Sequence, residues 1–394
     1  MKKIVKLAGV GVLVLSLLTG CGAKTTTNSG GGTGSSSSGG EIKIGGNLEL
    51  TGGVATYGTS VKNAVTMAFE DQNKKGGVLG KQIKFITADN KSEAGESTAA
   101  ATKLITQDKV VAIIGAVTSG NTIAASQVAT DNKIPLLSPT ATNEEVTVKD
   151  GKVKPWIFRS CFLDPFQGRV AATFAVDTLK VKTAALFVDQ KDPYSIGLAD
   201  GFKKAFEAKG GKIVANEKFV GGDKDFKATL TRIKAQNPEI VFVPGYYQEV
   251  GLIVKQGRDL MMTMPFMGGD GWDSPKLAEL GGAANLNKTY FVNHMWEEDP
   301  MTKPFAQAYK AKYGVEPDAL AALGYDAALT MIKAIETAGS AEPEKIRVAL
   351  EGIKNLQGVT GTITIDPATH NPVKSAVILE MKDGKKSFLT RVNP

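Results

Sequence analysis

The chain has 394 residues, 42% hydrophobic and 22% charged, so it can bury sizeable cores and is long enough for two domains. Its formal net charge of +7 is spread along the sequence without a basic run, which is not the pattern of a nucleic-acid-binding arm. Composition therefore predicts a globular protein with no nucleic-acid partner.

Residues 1–20 have the pattern of a secretory signal peptide. Three lysines in the first six residues form a positive n-region, and residues 7–18 form an apolar stretch too short to span a bilayer. The segment ends in Leu18-Thr19-Gly20-Cys21, which resembles the lipobox of bacterial lipoproteins, where the cysteine receives a diacylglyceryl group and becomes the first mature residue. Two acyl chains hold a protein stably, so the resemblance implies an anchor in the cell membrane. An ordinary secreted protein cleaved nearby is the alternative.

Residues 22–40 (GAKTTTNSGGGTGSSSSGG) contain too little apolar surface to fold. As a flexible tether, such a segment would let a domain sit roughly 25 Å from its anchor. The second cysteine, Cys161, lies far down the chain and has no partner if Cys21 is lipidated, so no disulfide is expected. For a single thiol, a small buried apolar side chain is a commoner role than catalysis.

From residue 42 onward, short apolar runs alternate with amphipathic stretches, the pattern of βαβ units around parallel sheets. The apolar runs predict strands at 42–50, 82–88, 110–115, 135–137, 184–188, 213–219, 240–243, 266–268 and 289–293. The amphipathic stretches predict helices at 61–74, 93–107, 122–132, 165–179, 196–209, 226–236 and 249–260. The sequence therefore predicts an α/β fold.

Two changes of pattern divide this succession. Residues 138–155 are polar and without a clear period, which predicts a first crossing between domains there. After residue 293 the sequence predicts helices at 303–313, 319–338 and 343–352, followed by strands at 375–382 and 387–392. Asp383-Gly384 between the last two strands is a hairpin turn sequence, so the chain is expected to finish in a β-hairpin.

Signatures of catalysis are largely missing. The chain has no Gly-x-Ser-x-Gly, no phosphate-binding loop, no His-Glu-x-x-His and no Cys-x-x-Cys. His294 and His370 could serve as bases at neutral pH, but neither has a nucleophile or acid beside it in a recognisable arrangement. The sequence therefore disfavours an enzyme and gives no reason to expect a cofactor or a metal.

Polar loops follow three predicted strands at their carboxyl ends, where open α/β sheets bind ligands. The loop at 116–121 (AVTSGN) opens a helix, and it and the loop at 138–143 (SPTATN) offer hydroxyls, including those of Ser119 and Thr142, suited to a carboxylate or phosphate. The loop at 244–249 (PGYYQE) places Glu249 at a helix start, where its charge suits an ammonium. Taken singly, each residue is also an ordinary helix cap.

Several motifs, taken in order, resemble the Leu/Ile/Val-binding branch of the periplasmic binding proteins. They are GGNLELTGGVATYG, NKKGGVLG, IIGAVTSGNT, IPLLSPTATN, DPYSIG, GYYQEVG and MGGDGWDSP, which lie between residues 45 and 275, and the resemblance extends over residues 42–392. Members of this family are receptors whose two lobes close around an amino acid. The resemblance implies two Rossmann-like lobes, the type I periplasmic binding protein fold, and an extracytoplasmic monomer that delivers its ligand to the permease subunits of an ABC importer.

The resemblance also implies three chain crossings, expected near Ser160, Trp272 and Ser375. Lobe 1 would then hold residues 41–160 and 273–375, and lobe 2 would hold residues 161–272 and 376–394. A ligand that bridges the lobes would favour the closed state.

Carried over position by position, the resemblance implies that the site reads both ends of a zwitterion. The Ser119 hydroxyl and the Thr142 hydroxyl and N–H would bind the ligand carboxylate. The Thr140 carbonyl and the Glu249 carboxylate would bind its ammonium.

The resemblance implies aromatic residues around the same site. Tyr57 and Tyr194 match aromatic positions around the ligand, with Tyr194 on the second lobe, and Trp296 falls near an aromatic wall. The motif GDGWDSP adds Asp270 and Trp272, which are characteristic of only part of the family. Trp272 is either a wall for a larger ligand or a packed hinge aromatic, so side-chain specificity need not be that of Leu/Ile/Val.

Other functions fit the same architecture. A sensor domain would pass ligand occupancy to a signalling partner, and a receptor of the same fold could take an aromatic acid or an amide. The sensor is disfavoured because the sequence contains no evident output domain. An enzyme in the interlobe cleft would need a nucleophile or a metal set, and the cleft loops supply neither.

Overall fold

The structure, a computed structural model, describes residues 40–394. The predicted signal peptide, Cys21 and the predicted tether up to residue 39 lie outside the described residues. Within residues 40–394 no helix combines the length and the apolar character needed to cross a membrane. Strands and helices alternate along most of this range, as the sequence predicts.

The first lobe is built on a parallel sheet. The strands of its first segment are β1 (Ile42–Leu48), β2 (Ile83–Asp89), β3 (Ala112–Gly115), β4 (Leu136–Ser138), β5 (Val148–Lys149), β6 (Lys152–Val153) and β7 (Ile157–Arg159). Five of these form the sheet in the order β2-β1-β3-β4-β7, all parallel. β5 and β6 form a separate short hairpin within the stretch predicted to be irregular.

The second lobe is built on a larger, mixed sheet. Its strands are β8 (Thr183–Asp189), β9 (Lys212–Phe219), β10 (Ile240–Phe242), β11 (Phe266–Gly268), β12 (Thr289–Asn293), β17 (Ala376–Lys382) and β18 (Lys385–Val392). Outside this sheet, β13 (Leu356–Gly358) pairs with β14 (Gly361–Ile363), and β15 (Ile365–Asp366) pairs with β16 (Asn371–Pro372). The sheet order is β18-β17-β12-β11-β10-β8-β9. β17 and β18 are antiparallel and form the predicted hairpin, with positive φ at Asp383 and Gly384.

Helices flank both sheets. In chain order they are α1 (Ala55–Lys74), α2 (Ala94–Thr106), α3 (Ser119–Asp131), α4 (Asp164–Thr173), α5 (Pro193–Ala208), α6 (Lys227–Ala235), α7 (Tyr247–Asp259), α8 (Lys276–Gly281), α9 (Lys303–Tyr313), α10 (Ala319–Ala338) and α11 (Pro343–Glu351). In the first lobe α1 packs on α10 and α2 on α3, and in the second lobe α4 packs on α5 and α7 on α8. This is the α/β architecture that the sequence predicts.

The second chain crossing lies later than predicted. The crossing expected at Trp272 would assign β12 to the first lobe, but β12 pairs with β11 and β17 in the sheet of the second lobe. The chain therefore returns to the first lobe after Asn293, and the second lobe includes residues 273–293. The chain also changes sheet between β7 and β8 and again before β17, the intervals that contain the predicted crossings near Ser160 and Ser375.

Helix α1 begins at Ala55, earlier than the predicted start at residue 61. Its first turns contain Gly58-Thr59-Ser60, which carry no apolar periodicity for a sequence pattern to detect. Gly58 is required there because a Cβ would lie 2.1 Å from the carbonyl oxygen of Glu49. This close approach of α1 to the end of β1 places Tyr57 at the cleft between the lobes.

Candidate functional site

A cavity of about 280 Å³ lies between the two lobes, at the carboxyl ends of their strands. The first lobe contributes α1, the start of α10 and the loops after β3 and β4, and the second contributes the starts of α5 and α7 and the turn after β11. The lining residues are Tyr57, Val117, Thr118, Ser119, Thr140, Thr142, Tyr194, Tyr246, Asp270, Gly271 and Leu320. The lining combines hydroxyls, one carboxylate and apolar surface, the mixture that is usual at sites for small molecules.

Ser119, the first residue of α3, presents its hydroxyl at this cavity. The side chain is buried, and its Oγ accepts a hydrogen bond from the N–H of Asn143 at 3.2 Å. Because that bond uses a lone pair, the hydroxyl hydrogen remains available for a ligand. The start of α3 also adds the partial positive charge of a helix N-terminus, so this end of the cavity suits an anion.

Glu49, which the sequence reasoning missed, holds the same loop in place. Its buried carboxylate accepts hydrogen bonds from the N–H groups of Val117 and Thr118 at 3.1 and 3.0 Å. It also accepts from the side chains of Thr118 and Asn121, each at 2.9 Å. Glu49 follows β1 at the sheet edge where the polar loops lie, and that position was the available signal. A ligand anion would therefore meet the donors from Ser119 onward, since Glu49 occupies the earlier ones.

The loop after β4 supplies Thr140 and Thr142. The Thr140 hydroxyl donates to the carbonyl of Val117, and Thr140 lines the cavity. Thr142 is 1% exposed, and its carbonyl accepts from the N–H of Asp164 at 3.0 Å. Burial raises the pKa of Asp164 well above its ordinary value, and the nearby Asp270 adds to this.

Asp270 is the acidic residue among those that line this cavity. It lies in a short helical turn after β11 and is 6% exposed. Its Oδ1 accepts a hydrogen bond from Nε2 of Gln167 at 2.8 Å, and its Oδ2 lies 2.9 Å from Nε2 of His294. Asp270 and the start of α3 thus place a negative group and an anion-binding group on the walls of one small cavity.

Tyrosine side chains form much of the cavity wall. Tyr194 and Tyr246 stack with ring centroids 5.2 Å apart, and Tyr57 meets Tyr246 edge to face at 5.9 Å. Burial raises the pKa of all three hydroxyls well above the ordinary value, so they are neutral. Tyr246 was not among the predicted site residues, and its place in the polar loop at 244–249 was the available signal. Leu320, at the start of α10, gave no sequence signal.

The lobes contact each other on both sides of the cavity. The Tyr57 hydroxyl donates across the cleft to the carbonyl of Gly271, and Asn143 Nδ2 donates to the carbonyl of Pro193 at 2.7 Å. Gly271 in turn donates its N–H to the Tyr194 hydroxyl at 3.1 Å. A molecule bound here would touch both lobes at once.

Glu249 does not line this cavity, in contrast to its predicted position. It is buried in the first turn of α7, and its carboxylate accepts from the N–H of Gly222 at 2.8 Å. It borders a larger neighbouring cavity of about 1020 Å³ together with Asp189 and Asp192. Burial raises the pKa of Glu249, and the bond from Gly222 opposes that shift. The structure therefore does not bring Glu249 together with Ser119 and Thr142.

The two predicted tryptophans also lie outside the cavity lining. Trp272 is fully buried, its Nε1 donates to the carbonyl of Val243 at 3.0 Å, and its ring lies 6.3 Å from that of Phe291. Trp272 is therefore a packed aromatic and not a wall of this cavity, and it lies away from the chain crossing that was predicted there. Trp296 is partly buried beside Phe388 of β18, at a centroid distance of 6.4 Å.

Cys161 and His370 are buried in the protein interior and do not line the cavity. Cys161 is fully buried, and burial raises the pKa of its thiol to about 12, so it is not a thiolate at neutral pH. His370 stacks on Phe158 at 4.1 Å, and its Nδ1 lies 2.9 Å from the carbonyl of Ile157. Within residues 40–394, no cluster of three or more His, Cys, Asp or Glu is arranged to hold a metal ion.

The fold and this cavity define the class of protein: a two-lobed α/β receptor for a small solute. A family described as periplasmic binding protein matches residues 41–386. The Leu/Ile/Val-binding protein BraC3 of Rhizobium johnstonii is 36% identical over 326 residues, covering 82% of this chain and 87% of that protein. The chain therefore belongs to the periplasmic binding protein family, in the group of the Leu/Ile/Val-binding proteins.

Solved structures agree with this assignment. The branched-chain amino acid transporter substrate binding protein LivJ from Streptococcus pneumoniae, in complex with isoleucine, is 37% identical with a TM-score of 0.85. The match covers 90% of this chain and 100% of that one. A solute binding protein of an ABC transporter from Rhodopseudomonas palustris, in complex with 3,4-dihydroxy benzoic acid, is 26% identical with a TM-score of 0.79, covering 90% and 97%.

Proposed function

We propose that this chain is the extracytoplasmic substrate-binding protein of an ABC importer and captures a branched-chain amino acid between its lobes. The observation that carries the proposal is the pairing, in one cavity of about 280 Å³, of the Asp270 carboxylate with the Ser119 hydroxyl at the start of α3. These groups complement the ammonium and the carboxylate of a zwitterion.

Each end of the ligand has named partners in this proposal. The Ser119 hydroxyl and the Thr142 hydroxyl and N–H bind the carboxylate. The Thr140 carbonyl and the Asp270 carboxylate bind the ammonium, so Asp270 takes the role that the sequence had suggested for Glu249. This exchange rests on position, since Asp270 lines the cavity and Glu249 borders the neighbouring one.

The rest of the lining supports an apolar ligand side chain. Val117, Leu320 and the rings of Tyr57 and Tyr246 border the cavity, and Asp270 is the one charged residue among the described lining residues. With Asp270 paired to the ammonium, a second charge on the ligand would be buried without a partner, which is costly. Leucine, isoleucine and valine avoid that cost. The relatives named for these amino acids support the same reading.

Chemically blocked ligands test the proposal. L-leucine should bind, whereas its methyl ester and its N-acetyl derivative should not, because each lacks one of the two charges that the cavity complements. Each change also leaves buried polar groups unpaired, at about 1 to 3 kcal/mol per group. Isothermal titration calorimetry of all three compounds measures this directly. Tight binding of the ester or of N-acetyl-leucine would contradict the zwitterion assignment.

An aromatic acid is the second candidate ligand, favoured by the stacked tyrosines of the wall and by the relative bound to 3,4-dihydroxy benzoic acid. Such a ligand has no ammonium and would leave Asp270 without a cationic partner. The same titration with benzoate separates the two candidates. Binding of benzoate in place of leucine would keep the two-lobed receptor and replace its ligand class.

We also propose that Cys21 is lipidated and tethers the receptor to the membrane. The support is the sequence Leu18-Thr19-Gly20-Cys21 after the predicted signal peptide. Expressed in a bacterial host, the Cys21→Ser variant should leave the membrane fraction, because a protein that lacks both acyl chains has no stable anchor. Fractionation followed by immunoblotting measures the partition. Equal partition of variant and wild type would show that the protein is not anchored through this cysteine.

A further inference from the structure

His294 lies directly behind the carboxylate of Asp270. Its Nε2 is 2.9 Å from Oδ2 of Asp270, and its ring stacks on Phe162 with centroids 3.6 Å apart. The ring is 1% exposed. The two residues meet because β11 and β12 pair in parallel, which brings the turn after β11 next to the residue after β12. His294 does not line the ligand cavity itself.

Gln167 and His294 together orient this carboxylate. Gln167 Nε2 donates to Oδ1 and His294 is placed to donate to Oδ2, so one donor occupies each oxygen. A carboxylate has about four lone-pair positions, which leaves the other two for a ligand ammonium. Holding the carboxylate in this orientation before the ligand arrives reduces the entropy lost on binding.

We propose that His294 is the positioning residue of Asp270 and that it makes capture of the ligand ammonium dependent on a proton. The inference rests on the proposed function, in which Asp270 binds the ammonium. A neutral imidazole donates to Asp270 and leaves its negative charge for the ligand. An imidazolium would neutralise that charge and compete with the ammonium for the same carboxylate.

The surroundings determine the direction of the pH effect. The charged groups that act on the ring are Asp270, the buried Lys374 and Asp273, and Asp299 and Arg391 line a second cavity that His294 also borders. Burial lowers the pKa of His294 below its ordinary value of 6.5, and the hydrogen bond that its ring donates to Asp270 opposes that shift. The ring is therefore neutral at pH 7 and gains a proton only in more acidic solution.

Bound ammonium lowers the pKa of His294 further, because it repels an imidazolium on the other side of Asp270. Binding at acidic pH therefore releases a proton. The contribution of His294 to affinity should be constant near neutral pH and fall by up to roughly tenfold per pH unit once the pH drops below the pKa of the ring in the free protein. Asp164 and Asp192 also titrate with raised pKa values, that of Asp192 at about 7, so the wild-type profile alone does not isolate His294.

Nuclear magnetic resonance of the histidine rings measures the titration of His294 separately from that of other groups in the unmodified protein. The chain has two histidines. Protein without a histidine tag, labelled with ¹³C and ¹⁵N in histidine, therefore gives one set of ring signals for each of them. The signal of His294 should titrate at a lower pH in the presence of saturating L-leucine than in its absence. The signal of His370, bonded to the Ile157 carbonyl away from the cavity, is the internal control.

Two variants supply the matching affinity test. His294→Gln keeps an N–H donor but cannot titrate, so at about pH 8 it should bind L-leucine nearly as wild type does, and its acidic profile should lose the slope that His294 contributes. His294→Ala lacks the donor and should bind more weakly at every pH. Recovery of binding in the glutamine variant distinguishes positioning of Asp270 from a general packing role.

The possible results distinguish failure of this inference from failure of the proposed function. If wild type binds L-leucine but the His294 signal titrates at the same pH with and without it, or stays neutral until the protein unfolds, the inference is wrong and the proposed function stands. If wild type binds no amino acid at any pH, the proposed function fails first. If either variant does not fold, the ring titration in wild type still decides the question.

Discussion

Asp270→Asn should weaken binding of L-leucine by about 2 to 5 kcal/mol, roughly 30-fold to several thousandfold in Kd. The substitution keeps the size of the side chain but removes the charge that pairs with the ligand ammonium in a cavity where Asp270 is 6% exposed. An uncompensated ammonium would then be buried, which is where the large cost arises. The loss should be seen by calorimetry with free L-leucine.

Glu249→Gln is the matched control for this prediction. It makes the same chemical change in another buried acid that follows a strand of the second lobe, but it does so in the neighbouring cavity beside Gly222. Affinity for L-leucine should change by no more than a few-fold. The opposite result, a large loss in Glu249→Gln and a small one in Asp270→Asn, would restore the role that the sequence suggested for Glu249.

Trp272→Ala should destabilise the protein by about 3 to 5 kcal/mol, the usual cost of emptying a well-packed aromatic site. The indole is fully buried, and its Nε1 hydrogen bond to the Val243 carbonyl would be lost with the ring. Gly268 shows how tightly the ring is packed, because a Cβ at that position would lie 2.1 Å from Nε1. Equilibrium unfolding in urea measures the effect.

Trp272→Phe completes the test, because it keeps an aromatic ring but not the hydrogen bond. It should cost less stability than alanine and leave the affinity for L-leucine close to that of wild type, since Trp272 does not line the cavity. A phenylalanine variant that folds normally yet no longer binds leucine would instead mark Trp272 as part of the ligand wall.

Local patterns predicted much of this molecule. The alternation of apolar runs and amphipathic stretches identified the βαβ units, because burial of a strand or of one helix face leaves a periodic trace in the sequence. The rule that ligands bind beyond the carboxyl ends of parallel strands then pointed to the loops that carry Ser119, Thr140 and Thr142. Those residues, with Tyr57 and Tyr194, do line one cavity.

Local patterns do not show which strands far apart in the sequence pair with each other. The crossing expected at Trp272 was wrong because β12 joins the sheet of the second lobe through β11 and β17, and β17 lies far along the chain. The late start predicted for α1 has a related cause. Gly58 belongs to the helix through its contact with Glu49, and a glycine adds nothing to an amphipathic period.

The sequence by itself determined the fold class, the family and the edge of the sheets at which a ligand would bind. Periodicity, turn chemistry and motif order can all be read from residues that are close together in the sequence. Only the tertiary structure decided which carboxylate faces the cavity. Glu249 and Asp270 are both acids that follow strands of the second lobe, and nothing in their neighbouring residues separates them. Their environments differ because α7 turns Glu249 toward Gly222, whereas the turn after β11 holds Asp270 between Gln167 and His294 at the cleft.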